Sequence, residues 1–237
     1  MISVITEENI CMVNEKVLQA AAAYSAQNQK KSLSPIFIIV PDRFTLQAEK
    51  ILLRHAPVLL NVRVVTFSML FHILCENKKD VLDKTSAVLC MWRAIRDVRE
   101  KLLYFTKSVD QYAFAEKMFN TINQLSSSCV DFDNLERNAN SNVTKLKMHD
   151  VRLIQKRYAE LIKDSIDGSG VLSWLIENIA HSEIIKESHV YLTGFEYLSV
   201  QREQVVKQLA RESKSFTAGV QANSEFAKVM DEIRFAL

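Results

Sequence analysis

Pro35-Ile36-Phe37-Ile38-Ile39-Val40-Pro41 sets five consecutive apolar residues between two prolines. A run of that length with no polar alternation has no solvent face. It reads as a strand buried on both sides, as strands of parallel sheets are. The flanking prolines mark its limits. Outward from it, Thr45 to Arg54 reads as a helix, and Asn61 to Phe67 carries Val62, Val64 and Val65, a second β-branched run. Ser68 is placed to N-cap a helix through Leu70, Phe71, Leu74 and Cys75. Upstream, Ser3 to Thr6 reads as a short strand. Glu8 to Gln29 reads as a helix with Ile10, Val13, Val17, Leu18 and Ala21 near helical spacing. Asn28 to Ser32 is a polar break. Successive strand–helix units predict a doubly wound α/β sheet.

From Lys79 to about Ala180 the period turns helical throughout. Val88, Met91, Trp92, Ile95 and Val98 show it, as do Phe114, Met118, Phe119, Ile122 and Leu125, and then Val151, Ile154, Tyr158 and Leu161. Ser126-Ser127-Ser128 and the stretch Asn134 to Asn142 read as breaks, with Asn138 to Asn142 an exposed loop. Strand character returns at His189 to Thr193. A helix from Val200 to Glu212, a strand from Ser215 to Val220 and a helix from Ser224 to Leu237 complete the order. The expected organisation is an α/β core of residues 1–78 and 186–237, interrupted by a helical insertion of residues 79–185.

The 237 residues are 48% hydrophobic and 24% charged, an ordinary globular balance. Four glycines and three prolines leave few turns that demand positive φ, so long helices should dominate. Cys11, Cys75, Cys90 and Cys129 form no C-x-x-C pair and read as reduced thiols rather than a zinc or redox motif. Met1 to Glu8 has neither the basic start nor the apolar run of a signal peptide. No apolar run approaches the ~18 residues of a membrane span, so the expected location is the cytoplasm. The chain ends mid-pattern on Phe235-Ala236-Leu237, as a fragment of a longer protein would. A net charge of +2 leaves nucleic-acid binding to any local basic face.

The most informative feature is missing glycine. The first is Gly168. Between the first strand and helix the chain reads Thr6-Glu7-Glu8-Asn9-Ile10. A phosphate-cradling loop needs glycines there to curl N–H groups around oxygens. Glu7 and Glu8 would also repel a phosphate. The five histidines show no metal-ligand spacing, and no G-x-S-x-G elbow exists. Asp131 and Asp133 fit either a metal or a helix-capping turn, and the turn suits the polar break better.

Pro41-Asp42-Arg43-Phe44-Thr45-Leu46-Gln47-Ala48-Glu49 follows the buried strand. It reads as a turn with Thr45 as cap. It also resembles the stretch after the second strand of AddB/RexB-type subunits of bacterial ATP-dependent helicase–nucleases. Val65-Thr66-Phe67-Ser68-Met69-Leu70, Lys145 to Ile154 with Tyr158, and Val190 to Ser199 resemble further motifs of that family, in the same order. The resemblance spans about residues 1 to 212.

The resemblance implies an α/β parallel sheet of the helicase 1A type, P-loop NTPase-like, with a large all-helical 1B-like insertion. It implies a subunit acting in double-strand break repair and recombination, with DNA and a motor subunit of AddA/RexA type as partners. The family's iron–sulfur cluster and Mg²⁺ lie in a nuclease domain absent from this sequence, so no cofactor or metal is expected here. Two departures place the chain at the degenerate end of the family. Thr6 and Glu7 stand where many relatives have a phosphate loop. Thr193 stands where the family's strand-end carboxylate would hold Mg²⁺. A non-motor role without ATP hydrolysis follows. The DNA-contact candidates are Arg43, Gln47, Arg63 and Ser68, all near strand ends; Arg43 and Gln47 also suit a purely bracing role. The basic positions Lys145, Lys147, Arg152, Lys156 and Arg157 read as solvated surface. The competing reading is a protein–protein interaction module unrelated to DNA.

Overall fold

Ile36, Phe37, Ile38 and Ile39 are all buried, and the strand they form is paired on both edges. The computed structural model describes residues 1–28, 34–56, 58–75, 79–138 and 140–236. Residues 29–32 of the polar break, residue 78 at the first expected boundary, Ala139 of the polar loop and Leu237 lie outside the described residues. The elements begin with β1 (Ile2–Glu7), α1 (Ile10–Asn28), β2 (Ile36–Ile39), α2 (Thr45–His55), β3 (Val62–Val65) and α3 (Phe67–Leu74). Next come β4 (Asp80–Val81), α4 (Lys84–Asp97), α5 (Tyr112–Ser127), α6 (Asn142–Leu161), β5 (Ser165–Ile166) and α7 (Gly168–Asn178). The last are α8 (Glu183–Lys186), β6 (His189–Leu192), α9 (Val200–Glu212), β7 (Ser215–Gln221) and α10 (Glu225–Ala236).

The chain divides into two compact units: Met1–Glu76 with Leu172–Leu237, and Asn77–Val171. The first holds a five-stranded, all-parallel sheet in the order β1-β7-β6-β2-β3. Alternate residues of each strand face opposite sides. Ile36, Ile38 and Tyr191 pack with Val13, Val17 and Leu18 of α1 and with α2. Phe37, Val190 and Phe216 point to the other face and are equally buried, with α9 and α10 against β7 and α3 against β3. Helices therefore cover both faces, which is why β2 and β6 lack polar alternation.

The second unit builds its own core from α4, α5 and α6, around Met91, Ile95, Phe119, Ile122 and Ile154. It also contains a short parallel pair, β4 with β5, in register Asp80↔Ser165. Two-residue strands leave no periodic trace, so the sequence reads that region as helical throughout. The serine run does not break α5, which continues through Ser127. The turn comes at Cys129, in the left-handed region at φ 54°.

Candidate functional site

β6 leads through α9 to β7 on one side, while β2 leads through α2 to β3 on the other. Connections that diverge from adjacent strands open a crevice at their carboxyl ends, the usual ligand site of such sheets. Here the two strands run into Pro41 to Phe44 and Thr193 to Glu196, which pack against each other. Gly194 adopts φ 83°, and a Cβ there would stand 2.9 Å from the Phe44 ring and 3.0 Å from Pro41. Phe44 thus packs down onto Gly194 and fills the space between the two loops. Above it Arg43 Nη2 meets Glu196 Oε1 at 3.0 Å, both side chains well exposed. Such a surface pair contributes little stability, but it bridges the two strand ends.

The entry to α2 differs from the sequence reading. A 3₁₀ turn, Asp42–Phe44, precedes it, and Phe44 already has helical backbone angles. No extended residue is left to act as cap. Thr45 is instead the first helical residue, and its hydroxyl donates back to the Asp42 carbonyl at 3.1 Å.

Thr6, Glu7 and Thr193, which the sequence reading offers as a degenerate nucleotide site, lie at the same end of the sheet. Only Glu8 and Asn9 connect β1 to α1. Asn9 Oδ1 accepts from the Cys11 N–H at 2.7 Å, satisfying a helix-start donor that a phosphate would otherwise meet. Glu7 pairs with Lys16. The Glu7 and Glu8 carbonyls accept from Ala222 N–H and Gln221 Nε2 at 2.8 and 2.9 Å. Thr6 is exposed in register with Val220. Thr193, two strands away, is fully buried, and its hydroxyl donates to Asn14 Oδ1 at 2.7 Å. Gly219 of the intervening β7 lets α1 approach: a Cβ there would stand 2.6 Å from Val17 and 2.7 Å from Val13. Asn14 is the site residue that sequence reasoning missed. Its only signal is an amide next to Val13, in the stripe that faces the sheet.

The DNA-contact candidates are dispersed. Gln47 is exposed on α2. Arg63 is exposed on β3, level with Phe37 near the start of β2, so it lies toward the opposite end of the sheet from Arg43. Ser68 is exposed but is not a cap: Thr66 is extended at ψ 172° and its hydroxyl accepts from the Met69 N–H at 3.3 Å. Burying Phe67, Leu70 and Phe71 together starts α3 at Phe67, which leaves Ser68 inside the first turn.

In the helical unit, Asp131 Oδ1 accepts from the Asp133 N–H at 2.9 Å, so the turn reading describes its geometry. Arg157 is tied to Asp97 at 2.7 Å and Glu160 at 3.0 Å. Arg152 lies 3.8 Å from Asp133, and Lys147 sits 4.8 Å above the Tyr104 ring. Among the described residues no three His, Cys, Asp or Glu side chains are grouped to hold a metal ion. The cysteines are dispersed, Cys11 and Cys129 exposed and Cys75 buried, which does not fit a cluster ligand set. No helix among the described residues is long and apolar enough to cross a membrane.

Residues 15–234 match the family model described as ADDB, N-terminal. Among curated proteins, the chain is 28% identical over 214 residues to an ATP-dependent helicase/deoxyribonuclease subunit of Listeria welshimeri, covering 86% of this chain and 18% of that protein. The proteins of the same description from Anoxybacillus flavithermus and Staphylococcus aureus are 24% and 25% identical, over 86% and 77% of this chain. They are covered over 19% and 17% of their own length, so the chain spans under a fifth of the relatives it matches.

Proposed function

Because the chain belongs to the ADDB N-terminal family, we propose that it is the N-terminal helicase-like domain of a helicase–nuclease subunit in double-strand break repair, and that it has no motor activity of its own. In this reading the parallel sheet is a P-loop NTPase-like core of the helicase 1A type, and the helices of residues 79–185 are its 1B-like insertion. The domain scaffolds a motor subunit of AddA/RexA type in the cytoplasm and guides DNA, with Arg43, Gln47, Arg63 and Ser68 as contact candidates. The iron–sulfur cluster and Mg²⁺ of such an enzyme belong to a nuclease domain elsewhere in the subunit.

One observation carries the non-motor part. At the sheet edge where a triphosphate and its magnesium would sit, the polar groups are engaged by the protein itself: Thr193 by Asn14, Glu7 by Lys16, and the Cys11 N–H by Asn9. A neutral hydroxyl–amide pair offers Mg²⁺ no charge. Calorimetric titration with Mg–ATP is expected to show no stoichiometric binding, and a clear one-to-one isotherm would overturn the reading. The Arg43–Glu196 pair favours a second reading, an interaction module in which Arg43 only braces the loops. Binding to single-stranded and forked DNA that weakens as salt rises supports the first; no binding, even alongside the motor subunit, supports the second.

A further inference from the structure

β3 is the edge strand of the sheet. Its inner side is spent on β2: the Asn61 carbonyl accepts from Ile36 N–H and the Val65 carbonyl from Val40 N–H. In a parallel ladder these bonds fall on alternate residues. The backbone groups of Val62 and Val64 therefore point away from the sheet. No other strand pairs with them among the described residues. Such an edge is a template for a further strand unless something blunts it.

Beside this edge lies a groove of about 680 Å³. Leu52 and Leu53 of α2 form one wall and Met69 and Ile73 of α3 the other, with Val62, Val64 and Arg63 between them. Leu53 and Met69 are 57% and 47% exposed, so the groove presents apolar surface to solvent. The pleat sends Val62 and Val64 toward α2, where they join its core, and Arg63 toward α3. Arg63 forms no ion pair with a described residue.

We infer that this edge docks an extended segment of a partner protein as a sixth strand, with apolar side chains alternating with acidic ones. Backbone pairing to Val62 and Val64 supplies the register. Apolar residues of the segment fall on the α2 side, against Leu52, Leu53 and the two valines. Every second residue falls on the α3 side, opposite Arg63, where a carboxylate completes the charge. This is recognition by strand addition, in which main-chain hydrogen bonds hold the peptide and alternate side chains select it. The inference is independent of the nucleotide reading; it takes Arg63 out of the DNA-contact candidates and assigns it to protein rather than to phosphate.

The test uses an acetylated six-residue peptide alternating valine and glutamate, with amide hydrogen exchange as the readout. The expected result is peptide-dependent protection of the Val62 and Val64 amides. The same peptide N-methylated at every second residue should give none. Arg63→Glu should weaken the glutamate peptide roughly two- to fivefold, from a like-charge cross-strand pair, and favour its lysine counterpart. Three outcomes would overturn the proposal. One is no protection at saturating peptide. Another is equal protection by the N-methylated peptide. The third is protection that appears without peptide and rises with protein concentration as a dimer forms in sedimentation, which would assign the edge to a second copy of the chain.

Discussion

A buried carboxylate is tolerated only where donors surround it. Asp150 is fully buried, and its two oxygens accept from the backbone N–H groups of Leu103, Tyr104 and Phe105 at 2.8, 2.8 and 2.9 Å. One side chain thus closes the segment after α4 onto α6. Asp150→Ala would strand three N–H groups, so a loss of about 3–5 kcal/mol is expected, read as a lower urea midpoint. A loss under about 1 kcal/mol would mean that water or a rearranged turn meets those donors. Asp150 is present in the resembling Lys145–Ile154 stretch, yet its partners lie some 45 residues away in sequence. Periodicity reports which face of a helix is buried and says nothing of where a polar side chain on that face finds its donors. Asn14 was illegible for the same reason: its partner is Thr193, 179 residues on. The absence of glycine at Thr6 to Asn9 was legible because it needs no partner.

At the scale of elements, the strands were the most readable feature. Ile36 to Val40 and Val190 to Leu192 are apolar because both faces are covered. Helix starts were less readable, because Thr66 and Ser68 are both good caps by composition and only the burial of Phe67 chooses between them. That choice is testable: Thr66→Ala should cost about 1 kcal/mol, and Ser68→Ala less than about 0.5 kcal/mol, in thermal or urea unfolding. A different tie joins three elements at the amino end of the sheet. His189 of β6 bonds Tyr24 Oη of α1 at 2.9 Å through Nε2 and Ser215 Oγ of β7 at 2.6 Å through Nδ1. Burial first, and then nearby Lys214, lower its pKa from the ordinary 6.5. The folded protein therefore prefers the neutral imidazole, and protonation favours the unfolded chain. The contribution is complete above about pH 6.5 and is lost as pH falls below it. The urea midpoint of the wild type should fall on acidification from about pH 6.5, and His189→Gln, which cannot titrate, should flatten that part of the curve. Identical curves for the two proteins would remove His189 from the account.

For the whole molecule, a net charge of +2 means that the proposed attraction to DNA cannot come from a general basic field and would have to come from a few placed cations. The four contact candidates include two, Arg43 and Arg63, and Arg43 already pairs with Glu196. For single-stranded DNA the logarithm of the binding constant falls with the logarithm of salt by about 0.7 per neutralised phosphate. Two arginines give a slope near −1.4. If Arg63 serves the β3 groove instead, the slope drops to about −0.7. The basic positions of α6 would steepen it, but Arg152 faces Asp133, Arg157 is shared between Asp97 and Glu160, and Lys147 lies over Tyr104. Those side chains would have to leave their partners to reach a phosphate. Anisotropy titrations between roughly 50 and 200 mM salt are therefore expected to give a slope between −0.7 and −1.4, reduced by about 0.7 in Arg43→Ala. A slope near −3.5, about 0.7 for each of the five basic positions of α6, unchanged in Arg43→Ala and Arg63→Ala but reduced by Lys145→Ala and Lys156→Ala, would move the DNA-binding face to α6 and leave the carboxyl edge of the sheet as packing alone.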